Sequence, residues 1–366
     1  MDFEQQRQQV QKSFAESGRN IEVGDLKEFP LTLAQLKATN SGSDYVVESF
    51  NSGLTAVVHH LQFGEQHWTL KLKRPVSLVK NIDGQTSFLN EVQRRRDLTA
   101  LKQSEPHAFE NIVDTQFASF TDGIILSPWI AGESLLTFSQ ALLEQIFSCI
   151  INLELNGLFE WDLCPGNILV DTNNIIKLFD FGYMYQFDPA EHFNSNGQAT
   201  PLFHGIERFE TRFFFDYLMK NPLNLSEQAL FELYRQEKQC ALTAYQYKLQ
   251  KLRDADAQLS VINRQLNINL SWEKALGCDC ALRELYLVES FRSNVLDLLD
   301  DLHGQSCTAY TLKKVDLVLT FLSGNFEQLN KSNAFFFGDE KLTRDELITK
   351  YTQMRKDAQR FQLNHL

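Results

Sequence analysis

Long apolar runs and paired cysteines are both missing from this chain of 366 residues. It has no run of about eighteen apolar residues, the length that a membrane-spanning helix needs, so we expect no membrane span. The polar start, residues 1–7, lacks the apolar core of a secretory signal, and we therefore expect a cytoplasmic protein. The six cysteines are scattered, and Cys278 and Cys280 have no matching second pair. Neither a disulfide framework nor a zinc site is expected.

Positive charge is also scarce. Thirty-five lysines and arginines face 47 acidic residues, which gives a net charge of −12. Such a balance argues against broad binding to nucleic acid, whose phosphates need basic partners. Phenylalanine is abundant instead, with 29 residues in a chain that is 43% hydrophobic. This composition predicts a globular protein, and its length allows two or three cores with thick aromatic packing.

The most informative segment is residues 161–170, Trp-Asp-Leu-Cys-Pro-Gly-Asn-Ile-Leu-Val, which is followed by Phe-Asp-Phe-Gly at 179–182. Asp162 precedes Asn167 by five residues, and Asp180 follows Asn167 by thirteen. Phosphoryl transfer needs one carboxylate facing the attacking hydroxyl, together with an amide and a second carboxylate that hold metal ions. The spacing of these three side chains therefore indicates a phosphoryl-transfer site.

Apolar runs on both sides of a polar turn predict a hairpin in this segment. Residues 168–170 and 175–179 have the pattern of short strands, and residues 171–174 have the composition of a turn. Asn167 enters the first strand and Asp180 leaves the second, so we expect the two side chains to lie side by side. Their oxygen atoms are the kind of ligand that Mg²⁺ prefers.

These motifs resemble those of the protein-kinase-like superfamily. The sequence Asp-Leu-Cys-Pro-Gly-Asn at 162–167 is similar to that of small-molecule kinases and bacterial kinase-like phosphotransferases. The resemblance implies a bilobal fold with ATP and Mg²⁺ as cofactors. It also implies that Asp162 is the catalytic residue and that Asn167 and Asp180 are the metal ligands.

Three earlier residues match the family's nucleotide-binding parts. Gly53 remains from the family's glycine loop, within the pattern Asn-x-Gly-x-x-Ala-x-Val that begins at residue 51. Lys71 lies on an alternating strand and resembles the lysine that reaches the phosphates, with Lys73 as the alternative. Glu91, twenty residues after Lys71, matches the glutamate that pairs with this lysine.

We expect Glu91 to lie on a helix that Ser87 caps and that runs from residue 88 towards residue 101. Further along, Pro128, Trp129 and Ile130 resemble the hinge between the two lobes, whose backbone would contact the adenine edge. The ring of Trp129 is equally well suited to the nucleotide pocket and to the core.

Two departures from the family pattern shift the expected chemistry. Glu160 and Trp161 stand where the family has His-Arg, so activation through a phosphorylated loop is not expected. Cys164 replaces the lysine that touches the transferred phosphate in protein kinases. The sequence thus favours an atypical phosphotransferase, and the alternatives are transfer of another group such as AMP, or a pseudokinase that acts as a scaffold.

The overall expectation is an α+β protein of the bilobal kinase-like kind, with a β-rich N-lobe, a helical C-lobe and a helical C-terminal extension. The predicted ranges are a helical leader at 1–40, the N-lobe and hinge at 41–135, the C-lobe at 136–222 and a helical region at 223–366. Helices are predicted at 226–258, 271–303, 312–329 and 343–362.

The helical C-terminal region either completes the C-lobe or forms an appendage that could bind a protein partner. The expected partners of the site are a nucleotide and a hydroxyl-bearing acceptor. A sugar, a lipid-linked saccharide, a metabolite and a protein all fit the acceptor.

Overall fold

The architecture is that of an α+β protein, seen in a computed structural model that describes residues 2–363. An antiparallel sheet dominates the N-terminal part and helices make up the C-terminal part, which confirms the predicted class in this coarse form. The chain divides into two compact units, Met1–Gly205 and Ile206–Leu366. Among residues 2–363, no helix combines the length and the apolar character needed to cross a membrane.

The first unit contains most of the strands. In chain order its elements are α1 (Phe3–Glu16), β1 (Glu22–Gly24), α2 (Leu33–Lys37), β2 (Val46–Phe50), β3 (Ala56–Phe63), β4 (Gln66–Lys73), α3 (Ile82–Ser104), β5 (Phe117–Ser119), β6 (Ile124–Pro128), β7 (Gly132–Ser134), α4 (Gln140–Leu155), β8 (Leu158–Glu160), a 3₁₀ turn (Pro165–Asn167), β9 (Ile168–Asp171), β10 (Ile176–Leu178) and β11 (Met184–Gln186).

Six of the described strands form one sheet in the order β1-β5-β6-β4-β3-β2, with every neighbouring pair antiparallel. Successive side chains of a strand point to opposite faces. On β4, Leu70 packs with Leu61 and Leu126 on one face, whereas Lys71 points to the other. The second face is covered by apolar residues of α3, among them Val92. The alternation of β4 therefore directs Lys71 towards α3.

The range predicted as a helical leader, residues 1–40, contains α1 and α2 but also a strand. β1 pairs with β5 through Val23 and Ala118, and it forms one edge of the sheet. A three-residue strand carries too short a pattern to be recognised from sequence.

Helix α3 starts earlier than predicted, so the assignment of Ser87 as its cap is wrong. The side chain of Asn81 accepts a hydrogen bond from the Gly84 N–H at 2.7 Å and caps the helix, which begins at Ile82. Ser87 lies inside the helix and donates to the carbonyl of Gly84 at 3.2 Å. Gly84 in the first turn concealed the true start, because glycine normally weakens a helix. Val79 packs where a Cβ on Gly84 would be.

The predicted hairpin is present as β9 and β10. Ile168 lies opposite Leu178 in the antiparallel register, and β7 adds a third strand on the other side of β9. The Phe179 N–H also donates to the Asn167 carbonyl at 3.3 Å. Asn167 and Asp180 thus lie at the same end of the hairpin. Strands β8 and β11 flank this region as a separate pair.

Helices dominate from Gly205 onwards. They are α5 (Gly205–Phe209), a π-helical turn (Glu210–Phe214), α6 (Phe215–Lys220), α7 (Glu227–Asp254), α8 (Leu259–Leu276), α9 (Asp279–Gly304), α10 (Ala309–Lys331), a 3₁₀ turn (Asp339–Lys341) and α11 (Arg344–Arg360).

The predicted helix over residues 271–303 is not continuous: it comprises the end of α8 and nearly all of α9, and the chain breaks between them at Gly277. Cys278 caps α9 by accepting from the Ala281 N–H through its sulfur at 3.4 Å. Beyond this break, residues spaced three and four apart bury one face of each helix. The resulting core of the second unit contains Phe291, Val295, Leu298, Val315, Val318, Leu322, Leu347 and Tyr351.

Candidate functional site

A buried lysine joins two acidic residues at the centre of the candidate site. The Nζ of Lys71 lies 2.9 and 3.1 Å from the two carboxylate oxygens of Glu91, and 2.7 Å from Oδ2 of Asp180. Strand β4 supplies the lysine, α3 the glutamate, and the loop after β10 the aspartate. Lys71 and Glu91 are buried, whereas the side chain of Asp180 is 36% exposed. The triad thus presents its aspartate towards solvent.

The charges of Lys71 and Asp180 hold each other in their ionised forms. Burial lowers the pKa of Lys71, but the carboxylates of Asp180 and Glu91 outweigh it, and the net pKa lies above the usual value. Burial raises the pKa of Asp180, but the Lys71 ammonium and the Gly182 N–H outweigh it, and the net pKa is lowered. The site therefore keeps a cation and an anion side by side near neutral pH.

Arg95 supports the triad from behind. Its Nη2 lies 3.0 Å from Oε1 of Glu91, one helical turn earlier on α3, and 2.8 Å from the carbonyl oxygen of Phe179. Its guanidinium also lies 5.0 Å from the ring centroid of Phe181. Arg95 therefore connects the helix that carries Glu91 to the residues on both sides of Asp180, to the backbone of Phe179 and to the ring of Phe181.

Asp162 and Asn167 form the second part of the site. The side-chain Nδ2 of Asn167 donates to the carbonyl oxygen of Asp162 at 2.8 Å and to its Oδ2 at 3.4 Å. Both residues are half-buried on the loop between β8 and β9. Because the amide nitrogen of Asn167 is used within this loop, its Oδ1 is the atom that can bind a cation.

The donors present suit Mg²⁺. Magnesium binds oxygen ligands, commonly one or two carboxylates together with the phosphates of a substrate. The Asn167 amide oxygen and the Asp180 carboxylate supply that donor type at the same end of the hairpin. Each carboxylate oxygen of Asp180 accepts one hydrogen bond, from Lys71 and from the Gly182 N–H, and retains a further lone pair. Within residues 2–363, no cluster of three or more His, Cys, Asp or Glu side chains is arranged to hold a metal ion.

Glu160, at the end of β8, positions the backbone of Asp162. The side chain is buried, and its Oε1 accepts from the Asp162 N–H at 2.8 Å. Its Oε2 is buried without a hydrogen-bond partner among the described residues. Burial raises the pKa of Glu160 well above its usual value, and the nearby charges of Asp162 and Asp180 raise it further. The sequence indicated only that the family's His-Arg is replaced here.

The loop over residues 51–56 turns its carbonyls towards the segment after β4. Arg74 Nε donates to the Gly53 carbonyl at 2.8 Å, and its Nη2 donates to the Asn51 carbonyl. The Arg74 N–H donates to the Thr55 carbonyl and the Leu78 N–H donates to the Leu54 carbonyl, each at 2.9 Å. With these carbonyls engaged on one side, the loop can offer N–H groups to phosphates.

The three predicted hinge residues are the last residue of β6 and the two that follow it, and only part of their backbone is available to a base. Pro128 ends β6 and has no N–H, and the Trp129 N–H donates to the His67 carbonyl at 3.0 Å. Ile130 is therefore the position whose N–H could meet an adenine. The Trp129 ring stacks on His60, with ring centroids 3.7 Å apart. That ring is half-buried, between core and surface.

Lys73, the alternative to Lys71, lies elsewhere. Its Nζ is 4.7 Å from the ring centroid of Phe120, and its side chain packs beside Gly123. Cys164 is half-buried in the loop before the 3₁₀ turn. The structure therefore brings Lys71, Glu91 and Asp180 together, places Asp162 against Asn167, and leaves Lys73 outside the group.

Sequence reasoning missed the supporting roles of three residues: Arg95, Arg74 and Glu160. Arg95 belongs to an arginine triplet that has the appearance of a solvated helix face, yet it is 1% exposed. A buried arginine among carboxylates can be suspected only once the partners of its helix are known.

Comparisons with known proteins add no relative. No protein-family model matches the sequence, and no curated protein matches it. The functional argument therefore depends on the site itself.

Proposed function

We propose that this protein is an ATP- and Mg²⁺-dependent phosphotransferase of the kinase-like kind, which transfers the γ-phosphoryl group to a hydroxyl acceptor. The observation that carries the proposal is the contact of one buried lysine, Lys71, with both Glu91 and Asp180. In kinases, a lysine–glutamate pair and a metal-binding aspartate must be in place together for phosphoryl transfer.

The antiparallel sheet followed by helices supports the kinase-like assignment, as does the order of the parts along the chain. The candidate phosphate loop comes first, then the lysine strand, the glutamate helix, the hinge and the hairpin with Asn167 and Asp180. This order is the one that the kinase-like resemblance implies.

Each side chain has a role that follows from its position. Lys71 places a fixed positive charge beside the phosphates, and Glu91 holds that ammonium in place. Asp162 accepts the proton of the acceptor hydroxyl, and Glu160 and Asn167 orient it. Asn167 and Asp180 would hold the magnesium ion, which neutralises charge on the phosphates when bound. Catalysis then comes mainly from placement and electrostatic stabilisation.

The acceptor carries a hydroxyl group. Sugars, lipid-linked saccharides, metabolites and proteins are all candidate acceptor classes. A protein partner that binds the helical region is part of the same proposal. We also propose that the protein acts in the cytoplasm, where ATP is abundant.

Label transfer from ATP tests the proposal. The protein is incubated with Mg²⁺, a panel of hydroxyl acceptors and ATP that carries the label in either the α- or the γ-phosphate. We expect label from the γ-position to reach an acceptor, and the Asp180→Ala protein to transfer it about 10²-fold more slowly or worse.

Three results would contradict this proposal. Transfer from the α-position would indicate AMP transfer. Nucleotide binding without any transfer would indicate a scaffold. Full transfer by the Asp180→Ala protein would place the chemistry elsewhere.

A further inference from the structure

One buried amide connects α3 to the chain that follows Asp180. Asn90 is 0% exposed and directly precedes Glu91 on α3. Its Nδ2 lies 3.2, 3.0 and 2.7 Å from the carbonyl oxygens of Phe181, Gly182 and Met184. An amide nitrogen has two hydrogens to donate, and here three carbonyls converge on it. Asn90 thus fixes the backbone immediately after the proposed metal ligand.

The other end of this amide is held by the N-terminal helix. The Oδ1 of Asn90 accepts from Nε2 of Gln11 at 3.2 Å, and the same Nε2 lies 2.6 Å from Oε1 of Gln93. Gln11 is the most buried residue of α1, at 7% exposure. Helices usually bury an apolar stripe, since burial of polar groups is favourable only when they are hydrogen-bonded. A buried glutamine that meets a buried asparagine therefore indicates a contact that depends on hydrogen-bond matching.

A second contact of α1 reaches both α3 and β11. The guanidinium of Arg7 bonds Oδ1 of Asp83, in the first turn of α3, at 2.6 Å. It also lies 3.5 Å from the ring centroid of Tyr185 on β11. The Tyr185 hydroxyl donates to Asp83 at 3.1 Å and completes the contact. Helix α1 thus contacts α3 at two separate points and the strand after the Asp180 loop at one.

We propose that Asn90 is a positioning residue for the Asp180 metal loop, and that α1 supports the nucleotide site through Gln11. Glu91 and Asn90 are neighbours, so one turn of α3 holds both Lys71 and the backbone next to Asp180. A shift of α1 changes the support of Asn90 and hence the placement of the metal ligand. This inference rests on the proposed function, because it assigns the loop to Mg²⁺ binding.

The test measures how tightly the full-length protein binds Mg²⁺ together with ATP. Calorimetric titrations of MgATP, and of ATP in excess chelator, are compared for the wild type, Asn90→Leu and Gln11→Met. Asn90→Leu keeps the branch point at Cγ, Gln11→Met keeps the length of the side chain, and both remove the amide. Residues that orient a metal ligand typically change metal affinity by 10- to 100-fold. We expect MgATP affinity to fall about tenfold or more in Asn90→Leu and by a smaller factor in Gln11→Met, with Mg²⁺-free ATP binding little changed.

Asn194 offers a matched control for the loss of a buried amide. It is also 0% exposed, and its Nδ2 faces three acceptors, the Thr200 carbonyl, the Thr200 hydroxyl and the Phe203 carbonyl, at 3.1 to 3.3 Å. Asn194→Leu should lower the melting temperature by a similar amount yet leave MgATP affinity unchanged. Gln11→Met, which loses a single amide at the α1–α3 contact, decides the outcome if Asn90→Leu fails to fold.

The outcomes separate this inference from the function on which it rests. Unchanged MgATP affinity in the folded variants would overturn the role of Asn90 and α1, but it would leave the proposed function standing. An equal loss of affinity in Asn194→Leu would also overturn it, because general destabilisation would then explain the effect. Wild-type protein that shows no Mg²⁺-dependent binding would overturn the proposed function and the inference together.

Discussion

Lys71 and Asp180 are 109 residues apart in the sequence, and the Nζ of one lies 2.7 Å from Oδ2 of the other. The contact brings the sheet and the hairpin to one point, with Glu91 of α3 as the third partner. A buried lysine needs such partners, because desolvation of an unpaired ammonium is costly. The same charges provide the electrostatic setting that phosphoryl transfer requires.

Removal of the Lys71 ammonium should abolish most activity. We expect Lys71→Met to transfer the γ-phosphoryl group about 10²-fold more slowly or worse, since a preorganised charge is lost. Lys73→Met is the matched control, because Lys73 is two residues away on the same strand and lies against Phe120. The comparison of kcat/KM for the two variants also decides between the two lysines. Equal losses in both variants, or a larger loss in Lys73→Met, would contradict the assignment.

Asp162 should matter for chemistry and not for nucleotide binding. Asp162→Asn retains the size of the side chain but removes the proton acceptor, so we expect kcat to fall by about 10²- to 10⁴-fold. The affinity for MgATP should remain unchanged. Asp171→Asn is the control, because Oδ1 of Asp171 only accepts turn N–H groups, from Asn173 and Ile175. An Asp162→Asn protein with wild-type kcat would remove Asp162 from the mechanism.

Gly53 should be needed for the shape of the loop over residues 51–56. An added Cβ would lie 2.5 Å from the Ala56 carbonyl oxygen, so the loop would have to shift. We expect Gly53→Ala to weaken ATP binding by about tenfold, which equals 1.4 kcal/mol. Gly324→Ala, on α10 with nothing within 4 Å of the new Cβ, should leave ATP binding unchanged. Calorimetric titration of ATP measures both, and wild-type affinity in Gly53→Ala would argue against a phosphate-binding loop.

The second unit contains a buried group of charges that should make stability depend on pH. Lys238 is 0% exposed, and its Nζ forms an ion pair with Glu210. The same Nζ lies 2.8 Å from Oε2 of Glu289 and 3.7 Å from Oε2 of Glu237. Burial raises the pKa of Glu237 from 4.5 to about 7, although Lys238 opposes the shift. The folded protein thus retains a proton that the unfolded chain releases above pH 4.5. The contribution of Glu237 to the free energy of unfolding is therefore fully present below pH 4.5 and is lost as the pH rises through about 7.

Glu237→Gln should therefore flatten the decline in stability between pH 5 and pH 8. We expect the variant to exceed the wild type at pH 8 by roughly 1–3 kcal/mol in free energy of unfolding. Urea unfolding at the two pH values measures the effect. Glu232→Gln, half-exposed on the same helix, should follow the wild type. Parallel pH dependences in Glu237→Gln and the wild type would show that Glu237 ionises normally.

Local patterns were sufficient to predict the central elements. The alternation of β4 put Lys71 and Lys73 on one face, and the kinase-like resemblance favoured Lys71. The apolar runs around residues 171–174 predicted the β9–β10 hairpin. The same resemblance pointed to Glu91, twenty residues after Lys71, and the structure places the two side chains in contact. The strand and the hairpin depend on periodicity and on short separations, which a single sequence records well.

Contacts between distant residues could not be predicted in the same way. Asn90 reaches carbonyls 91 to 94 residues away, and Gln11 reaches Asn90 from 79 residues away. Nothing in the sequence distinguishes such an amide from a solvated one. The same holds for Glu160, whose burial follows from its pairing on β8. The start of α3 at Ile82 and the break at Gly277 were missed because glycine fits a helix, a cap and a loop alike.

The most direct test of the Lys71–Asp180 site is the dependence of ATP binding on Mg²⁺ in the wild type and in Asp180→Ala, measured by calorimetry with and without chelator. We predict that Mg²⁺ tightens ATP binding to the wild type and that Asp180→Ala loses this gain. An ATP affinity of the wild type that does not change with Mg²⁺ would contradict a metal-dependent nucleotide site at this position. So would an Asp180→Ala protein whose ATP affinity still increases with Mg²⁺.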